Sequence, residues 1–149
     1  MPGKQILIVD DNPVEARLIE EGFKMCGGDC SLRLIMNCRT VFDYLREEYK
    51  KPDGYRPDVI LLDYRMPLNG GSTLAKLKDD PALRHVPVMI VTGVNDDSAI
   101  YELYARGANC CFRKPMDLTG YEELARVLMT MLHSMLLPCP CAVKKRSWW

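Results

Sequence analysis

Apolar positions along the chain follow two alternating patterns. Short runs at Gln5–Val9, Val59–Leu62 and Val88–Val91 are nearly continuous Ile, Leu and Val, the composition of parallel strands covered on both faces. Ser31–Met36 and Cys110–Phe112 are less continuous and read as flanking strands. Between the runs lie amphipathic stretches at Pro13–Cys26, Arg39–Tyr49, Ser72–Lys78 and Asp97–Arg106, which read as helices. The first carries its own start and stop: Asn12 and Pro13 suit a helix N-terminus, and Gly27-Gly28 ends it. A last helix at Leu118–Leu136 places Tyr121, Leu124, Ala125, Leu128, Leu132 and Met135 on one stripe. Val127, Met129, Met131, Leu136 and Leu137 widen it, by deeper burial or as a surface for a partner or second copy.

Five strand–helix units of this size predict an α/β domain, an open, doubly wound parallel sheet with helices on both faces. Such sheets bind ligands beyond the carboxyl ends of their strands. At 149 residues the chain is one domain with room for a real core. Residues 1–137 form that domain, and 138–149 read as a tail with no output domain attached.

Charge and composition narrow the function. Twenty basic and twenty acidic residues cancel, so the field that phosphate-backbone binding needs is missing and nucleic acid is not an expected partner. No apolar run approaches the roughly 18 residues of a membrane span. Ile6 to Val9 is too short for the roughly 7–15-residue core of a secretory leader, so a cytoplasmic location is expected. There the seven cysteines would stay reduced. Cys139-Pro-Cys141 with His133 lacks the second ligand pair of a zinc site. Lys144-Lys145-Arg146 reads as a solvated cluster.

Polar residues collect where the strands end. Asp10 and Asp11 follow the first strand, Asp63 the third, Thr92 the fourth and, after a short step, Lys114 the fifth. Taken singly, each has a plain explanation: Asp10 to Pro13 as a helix cap, Asp63 to Pro67 as a turn, Thr92 as an edge hydroxyl, Lys114-Pro115 as a solvated lysine before a turn. Five of them on one sheet edge point to a site. Crowded carboxylates hold their protons tightly unless a cation neutralises them, and hard oxygen ligands suit Mg²⁺. A carboxylate can itself attack a phosphoryl group if cations and donors meet the developing charge. Asp63, alone at a central strand end, is the expected nucleophile, with Lys114 and Thr92 as donors and the Asp10-Asp11 pair as metal ligands.

These residues sit in Ile6-Leu-Ile-Val-Asp-Asp-Asn-Pro13, Pro57-Asp-Val-Ile-Leu-Leu-Asp-Tyr-Arg-Met-Pro67 with Gly70-Gly71, Pro87-Val-Met-Ile-Val-Thr-Gly93, and Gly107-Ala-Asn-Cys-Cys-Phe-Arg-Lys-Pro115. From about Lys4 to Leu136 the chain resembles the CheY-like receiver domains of two-component response regulators. The resemblance implies a flavodoxin-like (βα)5 sheet of strand order 2-1-3-4-5. It also implies Asp63 as phosphoacceptor, Mg²⁺ held by Asp10, Asp11, Asp63 and the Arg65 backbone carbonyl, Thr92 as the switch hydroxyl, and Lys114 on the phosphoryl group. A cis peptide at Lys114–Pro115 is part of the same pattern. The donor would be a histidine kinase or phosphotransfer protein. The stretch Lys76–Val86, the segment Asn109-Cys110 and the long last helix are most similar to single-domain regulators of phytochrome-type histidine kinases, which pair through the helix-4, strand-5, helix-5 side. The protein would then be a signalling phosphoacceptor, not an enzyme with turnover, switching its surface near Tyr101, Tyr104 and Cys111 toward a partner.

Two departures matter. Cys111 stands where the family usually carries an aromatic switch, and Phe112 beside it faces the other side of a strand. Arg65 sets a long cation beside the acceptor, where shielding of the acyl phosphate from water would slow hydrolysis. Two other classes compete: an aspartyl phosphatase of the haloacid-dehalogenase type, which needs an Asp where Asn12 stands, and a binding module that takes no phosphoryl group.

Overall fold

The computed structural model describes residues 3–64 and 70–137. The Arg65 carbonyl, Cys139-Pro-Cys141 and Lys144–Arg146 lie outside the described residues, as does the tail to which 138–149 were assigned. Five strands and five helices alternate: β1 (Lys4–Val9), α1 (Pro13–Cys26), β2 (Cys30–Ile35), α2 (Cys38–Lys50), β3 (Val59–Tyr64), α3 (Gly70–Asp79), β4 (Val88–Thr92), α4 (Asp97–Ala105), β5 (Cys110–Arg113) and α5 (Leu118–Ser134). All pairings are parallel, in the order β2-β1-β3-β4-β5. The strands read as flanking are the two edges.

Helix starts follow from side-chain chemistry. Asn12 accepts from the amides of Val14 and Glu15 at the head of α1, Asn37 caps α2, Asp96 caps α4 and Asp117 caps α5. Each satisfies amides that the first turn would otherwise leave without a partner. Gly27, at φ +69°, ends α1 in the left-handed region that glycine enters without strain.

Alternation along the strands divides the core into two layers. Leu7, Val9, Ile60, Leu62, Val88 and Ile90 face α2, α3 and α4, where they meet Val41, Leu45, Leu74, Leu77 and Leu103. Ile6, Ile8, Val59, Leu61, Met89 and Val91 face α1 and α5, where they meet Ile19, Phe23, Tyr121, Leu128 and Leu132. Burying each such side chain stabilises the fold by about 1.5–3 kcal/mol. On the second layer α1 and α5 approach very closely: a Cβ on Gly22 would lie 2.6 Å from the Tyr121 carbonyl oxygen.

Several boundaries differ from the sequence expectation. Helix α3 begins at Gly70 instead of Ser72, so the glycine pair lies inside its first turn. Helix α5 stops at Ser134, and Met135 is extended at ψ 140°. The apolar stripe runs on because Met135 and Leu137 still pack against the α1/α5 layer. Most of the widened stripe is core: Met129 is buried and Met131 packs beside it, whereas Val127 and Leu136 are exposed. Among the described residues no helix is long and apolar enough to cross a membrane.

Candidate functional site

Sheet register builds the site. The β1–β3 ladder closes with Val9 opposite Leu62, so Asp10 and Asp63 come next, side by side. Asp63 is still within β3, paired in register with Val91, and does not follow the strand as the apolar run suggested. By alternation Asp10, Asp63 and Lys114 continue the α1/α5 side of the sheet, while Thr92 continues the other. Asp10 and Thr92 are buried, and the Asp63 side chain is 4 % exposed.

Lys114, one residue past β5, reaches into this layer. Its Nζ lies 2.9 Å from Asp63 Oδ1 and 2.8 Å from Glu15 Oε2. Burial by itself pulls the Lys114 ammonium down, but the Glu15 and Asp63 carboxylates outweigh it and hold the group above its ordinary value. Asp10 Oδ1 accepts the Asn12 amide at 2.8 Å. Burial, opposed by that amide and reinforced by Asp63 and Glu15, pushes the Asp10 carboxyl from 3.8 to about 6. Carboxylate oxygens of Asp10, Glu15 and Asp63 all lie within 4.8 Å of one another. Hard oxygen donors in such a group fit a divalent cation. With an ammonium beside one of them, they also fit a carboxylate nucleophile that attacks an anionic group.

The structure thus brings together Asp10, Asp63 and Lys114. Thr92 ends the neighbouring strand, beside Tyr64 in register. Its hydroxyl accepts the Val94 amide at 3.0 Å, and its carbonyl accepts the Lys114 amide at 2.8 Å, which ties the end of β4 to the start of the Lys114 loop. Asp11 points elsewhere: its Oδ1 accepts the Cys38 amide at 3.2 Å, at the head of α2. Glu15 was not anticipated. In sequence it reads as an acidic residue in a helix first turn, favoured there by the helix dipole. Its one distinguishing signal is its position five residues after Asp10, on the first turn of the helix that Asn12 caps.

At β5, Cys111 packs on the α2–α4 layer and Phe112 on the α1/α5 layer, so the neighbouring ring does face away. An aromatic does reach position 111, from a different element: the Tyr104 hydroxyl of α4 accepts the Cys111 amide at 3.1 Å.

Comparison with known proteins matches this architecture. The family model described as the response regulator receiver domain matches residues 6–126. Response regulator Rcp1 of Synechocystis is 29% identical over 139 residues, covering 92% of this chain and 95% of that protein. The crystal structure of the phosphorylated cyanobacterial phytochrome response regulator RcpA superimposes with a TM-score of 0.81 at 28% identity, over 92% of this chain and 99% of that one. The Mn²⁺-bound form of Rcp1 gives 0.77 at 26% identity, over 91% and 99%.

Proposed function

Because this chain belongs to the response regulator receiver domain family, we propose that Asp63 is its phosphoacceptor and that it works as a single-domain regulator in a two-component phosphorelay. The observation that carries this reading is the Lys114 ammonium 2.9 Å from Asp63 Oδ1, with the Asp10 carboxylate in the same cluster at the carboxyl edge of the sheet. The cation would be Mg²⁺, held by Asp10, Asp63 and the Arg65 backbone carbonyl as the family pattern has it, with Asp11 joining them once its carboxylate turns from the Cys38 amide. Burial, reinforced by the neighbouring Asp63 and Glu15 carboxylates, raises the Asp10 carboxyl, and a bound cation would offset that penalty on its charged form. When bound, Mg²⁺ supplies positive charge to a phosphoryl oxygen.

An Asp63 carboxylate oxygen attacks phosphorus in line. The bond between phosphorus and the donor histidine nitrogen breaks, and the imidazole leaves with that electron pair. Lys114 donates to a second phosphoryl oxygen and Thr92 to a third. The product is an acyl phosphate whose phosphoryl group carries about 1.5–2 negative charges on three acceptor oxygens, where the carboxylate carried one. Drawing the Thr92 hydroxyl from the Val94 amide toward this group shifts the loop after β4, and with it α4. Tyr104 couples α4 to β5 through the Cys111 amide, so the surface bearing Tyr101 and Tyr104 changes.

The donor is a histidine kinase or phosphotransfer protein. Likeness to RcpA over nearly its whole length supports a phytochrome-type kinase. A homodimer through the α4, β5 and α5 face, and a cytoplasmic location, complete the reading. The test is intact mass after incubation with Mg²⁺ and acetyl phosphate, beside Asp63→Asn. One phosphoryl group per wild-type chain and none on the variant is expected. Steady release of phosphate from a phosphomonoester would favour a phosphatase, and an unmodified wild-type chain would favour a binding module.

A further inference from the structure

We propose that Glu15 is a positioning residue of this site: it holds the Lys114 ammonium in a resting pair that a phosphoryl group on Asp63 must displace, and it strengthens the hold on the divalent cation. The inference rests on Asp63 as the phosphoacceptor.

The geometry separates this pair from ordinary surface charge. Lys24–Glu21 and Lys50–Glu47 join neighbouring turns of one helix, and their side chains are 42–68 % exposed. Pairs of that kind contribute about 0–1 kcal/mol. Glu15 and Lys114 come from α1 and the loop after β5, 99 residues apart, and each side chain is 21 % exposed. The same Nζ serves Glu15 at 2.8 Å and Asp63 at 2.9 Å. Lys114 is therefore shared between the acceptor and a carboxylate that plays no part in the transfer step.

Charge gives the consequence. Removing the Glu15 charge must act in opposite directions on two ligands. A divalent cation loses a nearby negative charge and binds more weakly. An anion on Asp63 loses a repelling neighbour and meets a lysine no longer divided, so it binds more tightly. A first-turn glutamate that served only helix α1 would not produce this opposition. Loosening the helix would weaken both ligands, and a solvated side chain would change neither.

The experiment uses Glu15→Gln in the full chain, with Glu15→Asp as the charge-retaining control. Mg²⁺ affinity is measured by calorimetry. At saturating Mg²⁺, the affinity for trifluoroberyllate, a phosphoryl analogue, is measured by ¹⁹F NMR. For Glu15→Gln the Mg²⁺ dissociation constant is expected to rise at least about threefold and that of trifluoroberyllate to fall at least about threefold, as expected for one charge at this range in a partly solvated site. Glu15→Asp should stay close to wild type in both. If both affinities move in the same direction, or neither moves, the role of Glu15 is overturned while Asp63 stands as acceptor. If wild type binds no trifluoroberyllate but Mg²⁺ normally, or Asp63→Asn binds the analogue as wild type does, the acceptor reading itself fails and the proposal with it.

Discussion

Replacing Asp10 with Asn should make the metal-free protein more stable at neutral pH and leave it unchanged in acid. In the native state the Asp10 carboxyl titrates at about 6 against an ordinary 3.8. The folded protein therefore binds this proton more tightly than the unfolded chain. The sign follows: stability is fully present below about pH 3.8 and is lost as pH rises through about 6. At about 1.4 kcal/mol per pH unit, the loss is on the order of 3 kcal/mol by about pH 8 and near 1 kcal/mol at about pH 4.5. Asn cannot ionise, and its Oδ1 can keep the Asn12 amide, so Asp10→Asn should recover that difference. Urea unfolding in chelator, across this pH range, reads it directly. Added Mg²⁺ should then reverse the order, since wild type gains stability by binding the ion and the variant has lost a ligand. A variant no more stable than wild type at about pH 8, or a gain that does not shrink in acid, would refute the reasoning.

Lys114→Met should destabilise the metal-free protein by about 1–3 kcal/mol at neutral pH, since it leaves the Asp63 and Glu15 carboxylates without their shared cation. The native Lys114 ammonium holds its proton more tightly than in the unfolded chain. Its contribution is therefore present below about pH 10.5 and lost as pH climbs through the higher native value, which thermal melts in alkali would follow. Gly22→Val should cost about 1–3 kcal/mol by forcing α1 from the Tyr121 backbone, read by urea unfolding. Leu132→Ala, at a side chain 0 % exposed under the sheet, should cost about 2–5 kcal/mol in the same assay while leaving the number of phosphoryl groups accepted at one per chain.

The fold was largely legible because buried parallel strands write themselves as unbroken apolar runs. Ile6–Val9, Val59–Leu62 and Val88–Val91 all lie within the observed strands. Apolarity also misled: it ended β3 at Leu62, although the backbone ladder runs through Asp63 to Tyr64. It carried α5 to Leu136 because side-chain packing outlasts helical backbone at Met135. At the site, residues fixed by strand ends could be found from order along the chain. Asp10, Asp63 and Lys114 converge for that reason. Glu15 could not be found this way, since its role depends on the direction α1 takes after Asn12 and on a lysine 99 residues away. Nor could the Tyr104–Cys111 bond, because it requires α4 to lie over β5. The direction of the Asp11 carboxylate toward the Cys38 amide is likewise a matter of loop geometry.

The near-contact of Gly22 with the Tyr121 backbone makes the two sides of the sheet mechanically unequal. Six buried residues seat α5, whereas α4 is seated by one, Leu103. An input at the carboxyl edge thus meets a stiff backing on one side and a lightly tethered segment on the other, and motion goes where resistance is least. For a phosphoryl group on Asp63, the proposed input, this imbalance in anchorage would favour a response through α4 over one through α5.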